Sequence, residues 1–128
     1  MNKQFAFKNC IIANKNNSIY RQMIIYNVTI NINDEVHDEW VQWMNEVHIP
    51  DVMSCGLFTH ARMCKVLVVE EAGTTYAIQY TAKSMNDYEQ YRDVYAPALQ
   101  AATMKKFKDK FVAFRTLLEV VYEHHRID

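Results

Sequence analysis

Glycine and proline are scarce in this sequence, which has two of each in 128 residues, against average frequencies of about 7% and 5%. A dinucleotide-binding fingerprint needs three closely spaced glycines, and a P-loop needs two, five positions apart. Gly56 and Gly73 are 17 positions apart. The sequence therefore excludes both kinds of backbone phosphate site, and side chains must carry any function.

Cysteines and long apolar runs are also few. The three cysteines are an odd number without CxxC spacing, which favours reduced thiols in a cytoplasmic protein. No apolar run approaches the roughly 18 residues of a membrane span. The short apolar patches near the N-terminus do not form the core of a signal peptide. We therefore predict a cytoplasmic protein with no membrane partner.

The charge is nearly balanced, with 14 basic and 15 acidic residues. Residues 1–22 hold four of the basic residues and no acidic one, so the remainder of the chain is acidic. Nucleic-acid binding requires a clustered basic surface. The segment 76–80, Tyr-Ala-Ile-Gln-Tyr, lacks the preceding basic-Gly pair and the second stacking aromatic of an RNA-recognition motif. We expect no nucleic-acid partner.

The composition changes at Met23. Residues 1–22 are rich in Asn and Lys and have weak periodicity, and we interpret them as an N-terminal extension or an added edge element. Residues 23–128 alternate between strand and helix patterns and are predicted to form one domain. The predicted elements are a strand over 23–32, a helix from 33 that Pro50 ends at about 48, a strand over 57–70, a strand over 75–83, a helix from 84 interrupted near Pro97, and a strand over 111–122.

The order β-α-β-β-α-β predicts an α+β, ferredoxin-like fold, with a four-stranded antiparallel sheet and two helices on one face. The last strand is apolar on both sides. Val112 and Phe114 fall on one side, and Phe111 and Ala113 fall on the other. Such a sheet needs cover on its second face. The simplest cover is a second copy of the chain, so we predict a homodimer formed through the sheet.

Five segments resemble an uncharacterised bacterial family known only as a domain of unknown function, whose members open with Met-Ile-Ile-Tyr-Asn-Val-Thr-Ile. They are that sequence at 23–30, Glu-Val-His-Ile-Pro-Asp-Val-Met at 46–53, Gly-Leu-Phe-Thr at 56–59, Tyr-Ala-Pro-Ala-Leu-Gln at 95–100 and Phe-Val-Ala-Phe-Arg-Thr-Leu-Leu-Glu at 111–119.

The resemblance spans residues 23–121 and implies kinship with the dimeric α/β-barrel superfamily. That superfamily includes stress-responsive barrel proteins, cofactor-free monooxygenases of antibiotic biosynthesis and haem proteins similar to chlorite dismutase. It implies no particular activity. Family members often begin at the position of Met23, which favours an extension for residues 1–22.

Two histidines are candidates for a catalytic group. His48 lies two residues before Pro50, where the resemblance implies a His-x-Pro at the mouth of the cavity between helix and sheet. A histidine near a helix end can equally have a capping or packing role. His60 shares a predicted strand face with Phe58, Arg62 and Cys64, and we expect it to point to the dimer cavity or to solvent.

The same alternation of strand faces predicts a set of polar side chains on the face between two subunits, where they could bind a small ligand. The alternative is a wet dimer interface in which these groups bond to one another. The predicted ligand-binding residues are Asn27, Thr29, Asn31, Arg62, Gln79 and Arg115, with Thr81 on the same face.

We predict neither a metal site nor a cofactor. His60 and Cys64 would lie about 13 Å apart on one strand, too far to share an ion, and no motif selects haem. The leading hypothesis is a homodimer with a small-molecule-binding or structural role and no catalysis. The alternative is a cofactor-free monooxygenase or isomerase acting on a small apolar compound, with His48 or His60 as general base and Asn27, Gln79 or Arg115 stabilising an oxyanion.

Overall fold

The computed structural model describes residues 23–127. Residues 1–22, for which the sequence predicts an extension or an edge element, lie outside the described residues. Four strands form one antiparallel sheet in the order β2-β3-β1-β4. They are β1 (Ile24–Ile32), β2 (Phe58–Lys65), β3 (Thr74–Ala82) and β4 (Phe111–Glu119).

Two helical units connect these strands. The first helical unit follows β1 and consists of a 3₁₀ turn (Asp34–Val36), α1 (His37–Trp43), a π turn (Met44–His48) and α2 (Ile49–Met53). The second helical unit follows β3 and consists of α3 (Met85–Gln90), a π turn (Tyr91–Tyr95) and α4 (Ala96–Phe107). The order β-α-β-β-α-β and the ferredoxin-like fold are therefore confirmed.

The core lies between one side of the sheet and the two helical units. The predicted alternation along β1 is confirmed, because Ile24, Tyr26 and Ile32 are buried on the side that faces the helices. Trp40 and Phe107 from the helical units belong to the same cluster. We call this side of the sheet the helix side and the other the open side.

Pro50 does not end the first helix, so that prediction was wrong. Proline lacks the N–H of the usual helical bond, and its ring clashes with the carbonyl four residues earlier. The π turn Met44–His48 widens the helix immediately before Pro50, and α2 continues to Met53. A local π turn is a recognised way for a helix to insert a residue without breaking.

The second helical unit accommodates Pro97 in the same way. The π turn Tyr91–Tyr95 ends two residues before Pro97, and α4 restarts at Ala96. The predicted restart near Pro97 therefore takes the form of a π turn. At the start of this unit, the Ser84 side chain accepts a hydrogen bond from the amide of Asp87, as the capping pattern predicts.

Two strands are shorter than predicted because their partners end. β2 stops at Lys65, and Val66 makes one more backbone bond to Thr75 before the chain enters the connection to β3. β4 ends at Glu119, the residue opposite the first residue of β1. A strand continues only while a neighbour supplies hydrogen bonds.

A β-bulge places Phe58 on the other side of the sheet from the one predicted. Phe58 pairs with Ala82 and His60 pairs with Thr81, so the register shifts between Phe58 and His60. One extra residue in a strand reverses the alternation that follows it. Phe58 is consequently buried against the helices, whereas His60 lies on the open side.

Candidate functional site

The sheet separates the predicted site residues into two groups that cannot share a ligand. His48 and Arg115 lie with the helices. The others lie on the open side of the strands: Asn27, Thr29, Asn31, His60, Arg62 and Gln79. A general base at His60 and a general base at His48 are therefore alternatives on opposite sides of the sheet.

Arg115 occupies the side opposite to the one predicted for it. It pairs across the sheet with Val28, which packs against the helix-side core. Its neighbours Phe114 and Thr116 point the other way because successive side chains of a strand alternate. Arg115 is thus removed from the open-side group and placed beside the helices.

The open-side polar residues bond to one another. The Asn27 amide donates to the Thr29 hydroxyl at 3.0 Å, and Arg62 Nε donates to Gln79 Oε1 at 3.2 Å. Asn31 donates to the Thr75 hydroxyl at 3.1 Å.

His60 follows the same pattern, because one of its ring nitrogens lies 3.3 Å from the Thr81 hydroxyl and the other lies 3.0 Å from the Thr59 hydroxyl. These open-side polar groups therefore have hydrogen-bond partners within one subunit, and a ligand-binding role for them stays a prediction.

A cavity of about 330 Å³ lies between the helix side of the sheet and the helical units. This volume is at the lower end of the usual range for small-molecule sites, about 300–1,000 Å³. The sheet contributes Tyr26, Val28, Ile30, Ile78, Tyr80, Phe111, Ala113 and Arg115 to its wall. The helical units contribute Trp40, Met44, His48, Tyr91, Leu99, Gln100, Thr103 and Met104.

Two hydrogen bonds fix polar side chains of the cavity wall. Arg115 Nε donates to the hydroxyl of Tyr26 at 2.9 Å, and the Thr103 hydroxyl donates to the backbone oxygen of Leu99 at 3.3 Å. Trp40 is completely buried, and its Nε1 has no hydrogen-bond partner within residues 23–127. A mostly apolar wall with a few fixed polar groups is typical of a small-molecule pocket.

His48 is held at the cavity by the first π turn. Its ring stacks on Trp43 with the centroids 4.9 Å apart. Burial lowers the pKa of His48 below its ordinary value, and the nearby Asp51 carboxylate opposes that change only partly. His48 is therefore neutral at pH 7, and a neutral imidazole can accept a proton.

Tyrosines are clustered beside the cavity. The Tyr26 ring lies 5.9 Å from Tyr80, 5.3 Å from Tyr88 and 5.6 Å from Tyr91, centroid to centroid. Burial raises the pKa of Tyr80 and of Tyr91, with a further contribution from Tyr26. These phenols therefore stay protonated at neutral pH and can act as hydrogen-bond donors.

Both π turns supply residues to the cavity wall. Met44 and His48 come from the first π turn and Tyr91 comes from the second. Inserted π turns occur frequently at functional sites. The sequence analysis missed Tyr26 and Gln100 as lining residues. The signal for Tyr26 was a polar atom in an otherwise aliphatic strand face, and Gln100 gave no comparable signal.

The described residues offer no evident metal site. Within residues 23–127, no three His, Cys, Asp or Glu side chains are grouped closely enough to hold an ion. None of the helices in this part of the chain has both the length and the apolar character needed to cross a membrane.

The sequence of residues 23–121 matches the family described as a domain of unknown function, DUF4286. This match covers more than half of the chain and agrees with the resemblance noted from its motifs. The chain belongs to the DUF4286 family. A search among curated proteins finds no match.

Solved structures share the fold of this DUF4286 protein at low sequence identity. A dimeric ferredoxin-like protein from an uncultured marine organism is 16% identical, with a TM-score of 0.61 over 80% of this chain and 99% of its own. A variant of SnoaB, a cofactor-independent oxygenase from Streptomyces nogalater, is 5% identical, with a TM-score of 0.58 over 80% and 96%.

An ethyl tert-butyl ether d (ethd) family protein from Bacillus halodurans is 8% identical, with a TM-score of 0.56 over 73% of this chain and 96% of its own. At such identities the similarity shows the fold alone.

Proposed function

We propose that this DUF4286 protein is a homodimer that binds one small, mostly apolar molecule in the cavity of each subunit, without catalysis. The cavity beside the helices carries the proposal. It is lined mainly by aliphatic and aromatic side chains, and Arg115 is the single charged residue that the described part of the chain contributes to its wall. Binding there would remove apolar surface of the ligand from water, worth roughly 25 cal/mol per Å².

The open side of the sheet supports the dimer. Val112 is 71% exposed, Phe114 is 63% exposed and Leu118 is 41% exposed, and all three lie on this side of β4. A contiguous apolar patch on a monomer is unusual and marks an interaction surface. The dimeric marine relative of this fold is consistent with a second copy as the partner.

The dimer is tested by measuring molar mass with light scattering at micromolar concentration. The wild-type protein should have twice the mass of one chain. Phe114→Glu should be monomeric, because it places a charge in the interface. Val94→Glu is the matched control, since Val94 is also exposed but lies on the second helical unit, and it should remain dimeric. A monomeric wild-type protein would overturn this part of the proposal.

The cavity is tested with phenylnaphthylamine, a neutral aromatic probe that fluoresces in apolar surroundings. The wild-type protein should bind it saturably. Ala113→Leu should weaken binding about tenfold or more, because its larger side chain fills the cavity. Ala101→Leu makes the same change at an exposed position of α4 and should bind as the wild type does. Equal binding by both variants would contradict the proposal.

The neutral imidazole of His48 favours a second candidate function. His48 would act as general base on a small apolar compound, and Arg115 would stabilise the resulting oxyanion. This is the chemistry of an isomerase, and a cofactor-free monooxygenase is its oxidative counterpart; the fold relative SnoaB is a cofactor-independent oxygenase. His60, Asn27 and Gln79 have no part in this version, because they lie on the open side.

The second candidate is tested by solvent deuterium exchange into β-tetralone, an apolar ketone with acidic α-hydrogens, followed by NMR. Catalysis predicts faster exchange with the wild type, and a loss of that acceleration in His48→Gln. His124→Gln, in the exposed segment after β4, should exchange as the wild type does. An exchange rate equal to that of the buffer would reject catalysis of this kind.

A further inference from the structure

We infer that the ligand of the cavity is an amphipathic monoanion, whose carboxylate or sulfonate group binds the guanidinium of Arg115 while its apolar body occupies the cavity. This inference rests on the proposed function and names the class of ligand. It comes from the distribution of charge around the cavity wall.

Arg115 is the only lining residue with a permanent charge, and no carboxylate lines the cavity within the described residues. No acidic side chain in residues 23–127 forms an ion pair with Arg115. The Arg115 side chain is exposed, so water solvates its charge while the cavity is empty. An anionic ligand group that enters the cavity can therefore pair with Arg115 without breaking an existing ion pair.

The guanidinium is already oriented for this role. Its Nε donates to the Tyr26 hydroxyl at 2.9 Å, which fixes the plane of the group. No other hydrogen bond joins the side chain of Arg115 to a described residue, so its Nη groups are available. Two parallel N–H groups match the two oxygens of a carboxylate or sulfonate.

The surroundings limit the ligand to one negative charge. His48 is the other titratable nitrogen of the cavity, and burial keeps it neutral at pH 7. Tyr80 and Tyr91 are neutral donors. A phosphate dianion would need further cations or a cradle of backbone amides, and neither lines this cavity. The aromatic walls suit a flat apolar body.

The experiment compares two probes that differ mainly in charge. Anilinonaphthalene sulfonate (ANS) carries a sulfonate on nearly the same aromatic frame as the neutral phenylnaphthylamine. The wild-type protein should bind ANS about tenfold more tightly than the neutral probe, as expected for one charge-assisted pair. Raising the salt concentration should weaken the binding of ANS and leave that of the neutral probe unchanged.

Variants at Arg115 assign the effect to this side chain. Arg115→Gln should lower the ratio of ANS affinity to phenylnaphthylamine affinity about tenfold. Arg115→Lys should give an intermediate ratio, because lysine keeps the positive charge but lacks the two parallel N–H groups of the guanidinium. Arg92→Gln is the control, since Arg92 is paired with Asp93 on the exposed side of the second helical unit, and it should leave the ratio unchanged.

Three results would overturn the inference in distinguishable ways. Equal affinities of the wild type for both probes would show that charge is not recognised, while cavity binding would stand. An unchanged ratio in Arg115→Gln would remove Arg115 as the anion site. Failure of the wild type to bind either probe would reject both the inference and the proposed function.

Discussion

Arg115 on β4 and Tyr26 on β1 are joined by a hydrogen bond of 2.9 Å from the guanidinium Nε to the phenol oxygen. The bond crosses two adjacent strands on the helix side of the sheet, where Tyr26 is 3% exposed. A buried phenol thus positions a charged group that reaches solvent at the rim of the cavity. This contact makes Tyr26 a positioning residue for the proposed anion site.

Replacing Tyr26 with phenylalanine removes the acceptor without changing the ring. We expect Tyr26→Phe to lower the affinity for ANS several-fold, because the guanidinium loses its fixed orientation, and to lower the free energy of unfolding by about 1–2 kcal/mol. The binding loss should not extend to phenylnaphthylamine. Tyr95→Phe alters a tyrosine outside the cavity wall and should match the wild type. Equal losses for both probes would mean that Tyr26 shapes the cavity without orienting Arg115.

The two glycines provide a matched test of backbone strain. Both have positive φ, +77° at Gly56 and +73° at Gly73. A Cβ at Gly56 would meet nothing within 4 Å, whereas one at Gly73 would lie 2.8 Å from the backbone oxygen of Ile32 and would also clash with the Asn31 side chain.

Gly56→Ala should therefore cost only the left-handed penalty of about 1–2 kcal/mol. Gly73→Ala should cost more, because the backbone of β1 must also move. Urea denaturation of both variants measures the difference, and equal costs would contradict the close approach at Gly73.

The two tryptophans differ in how completely they are packed. Trp40 is fully buried, whereas Trp43 is partly exposed and stacks on His48. Trp40→Ala should lower the free energy of unfolding by about 3–5 kcal/mol, the usual cost of removing a large buried side chain. Trp43→Ala should cost clearly less. Urea denaturation followed by circular dichroism compares them, and a larger loss for Trp43→Ala would reverse the assignment.

The periodicity of apolar residues and the positions of capping residues in the sequence were enough to predict the fold. Alternation along β1 predicted which side of that strand is buried, and the serine at 84 predicted a helix start that the structure has. Both patterns involve residues that are close in the sequence, so they can be recognised without knowing what the chain packs against.

The errors came from local insertions that depend on tertiary packing. The bulge after Phe58 reverses one strand face, and the π turn before Pro50 lets a helix pass a proline. Neither has a composition signature in this sequence. Arg115 was assigned to the open side by the alternation of strand faces, but the register of β4 pairs it with Val28 on the helix side, and a register between distant strands cannot be read from the sequence.

His48 should make the stability of the protein depend on pH. Burial lowers the pKa of His48 in the folded state below the ordinary value of 6.5, so near that pH the unfolded chain binds a proton more readily than the folded one. Acidification therefore favours unfolding. The contribution of His48 to stability is complete above about pH 6.5 and is lost as the pH falls from there towards the lowered folded-state pKa.

We expect the free energy of unfolding to fall between pH 7 and pH 5.5 in the wild type, and to fall less in His48→Gln, which cannot be protonated. His124→Gln should keep the wild-type slope, because His124 lies in the exposed segment after β4 and not among the buried groups. Urea denaturation at a series of pH values gives the three slopes. Each substitution removes one imidazole and no other titratable group, so the difference between slopes reports on that imidazole, and identical slopes would show that His48 is not buried as a neutral group.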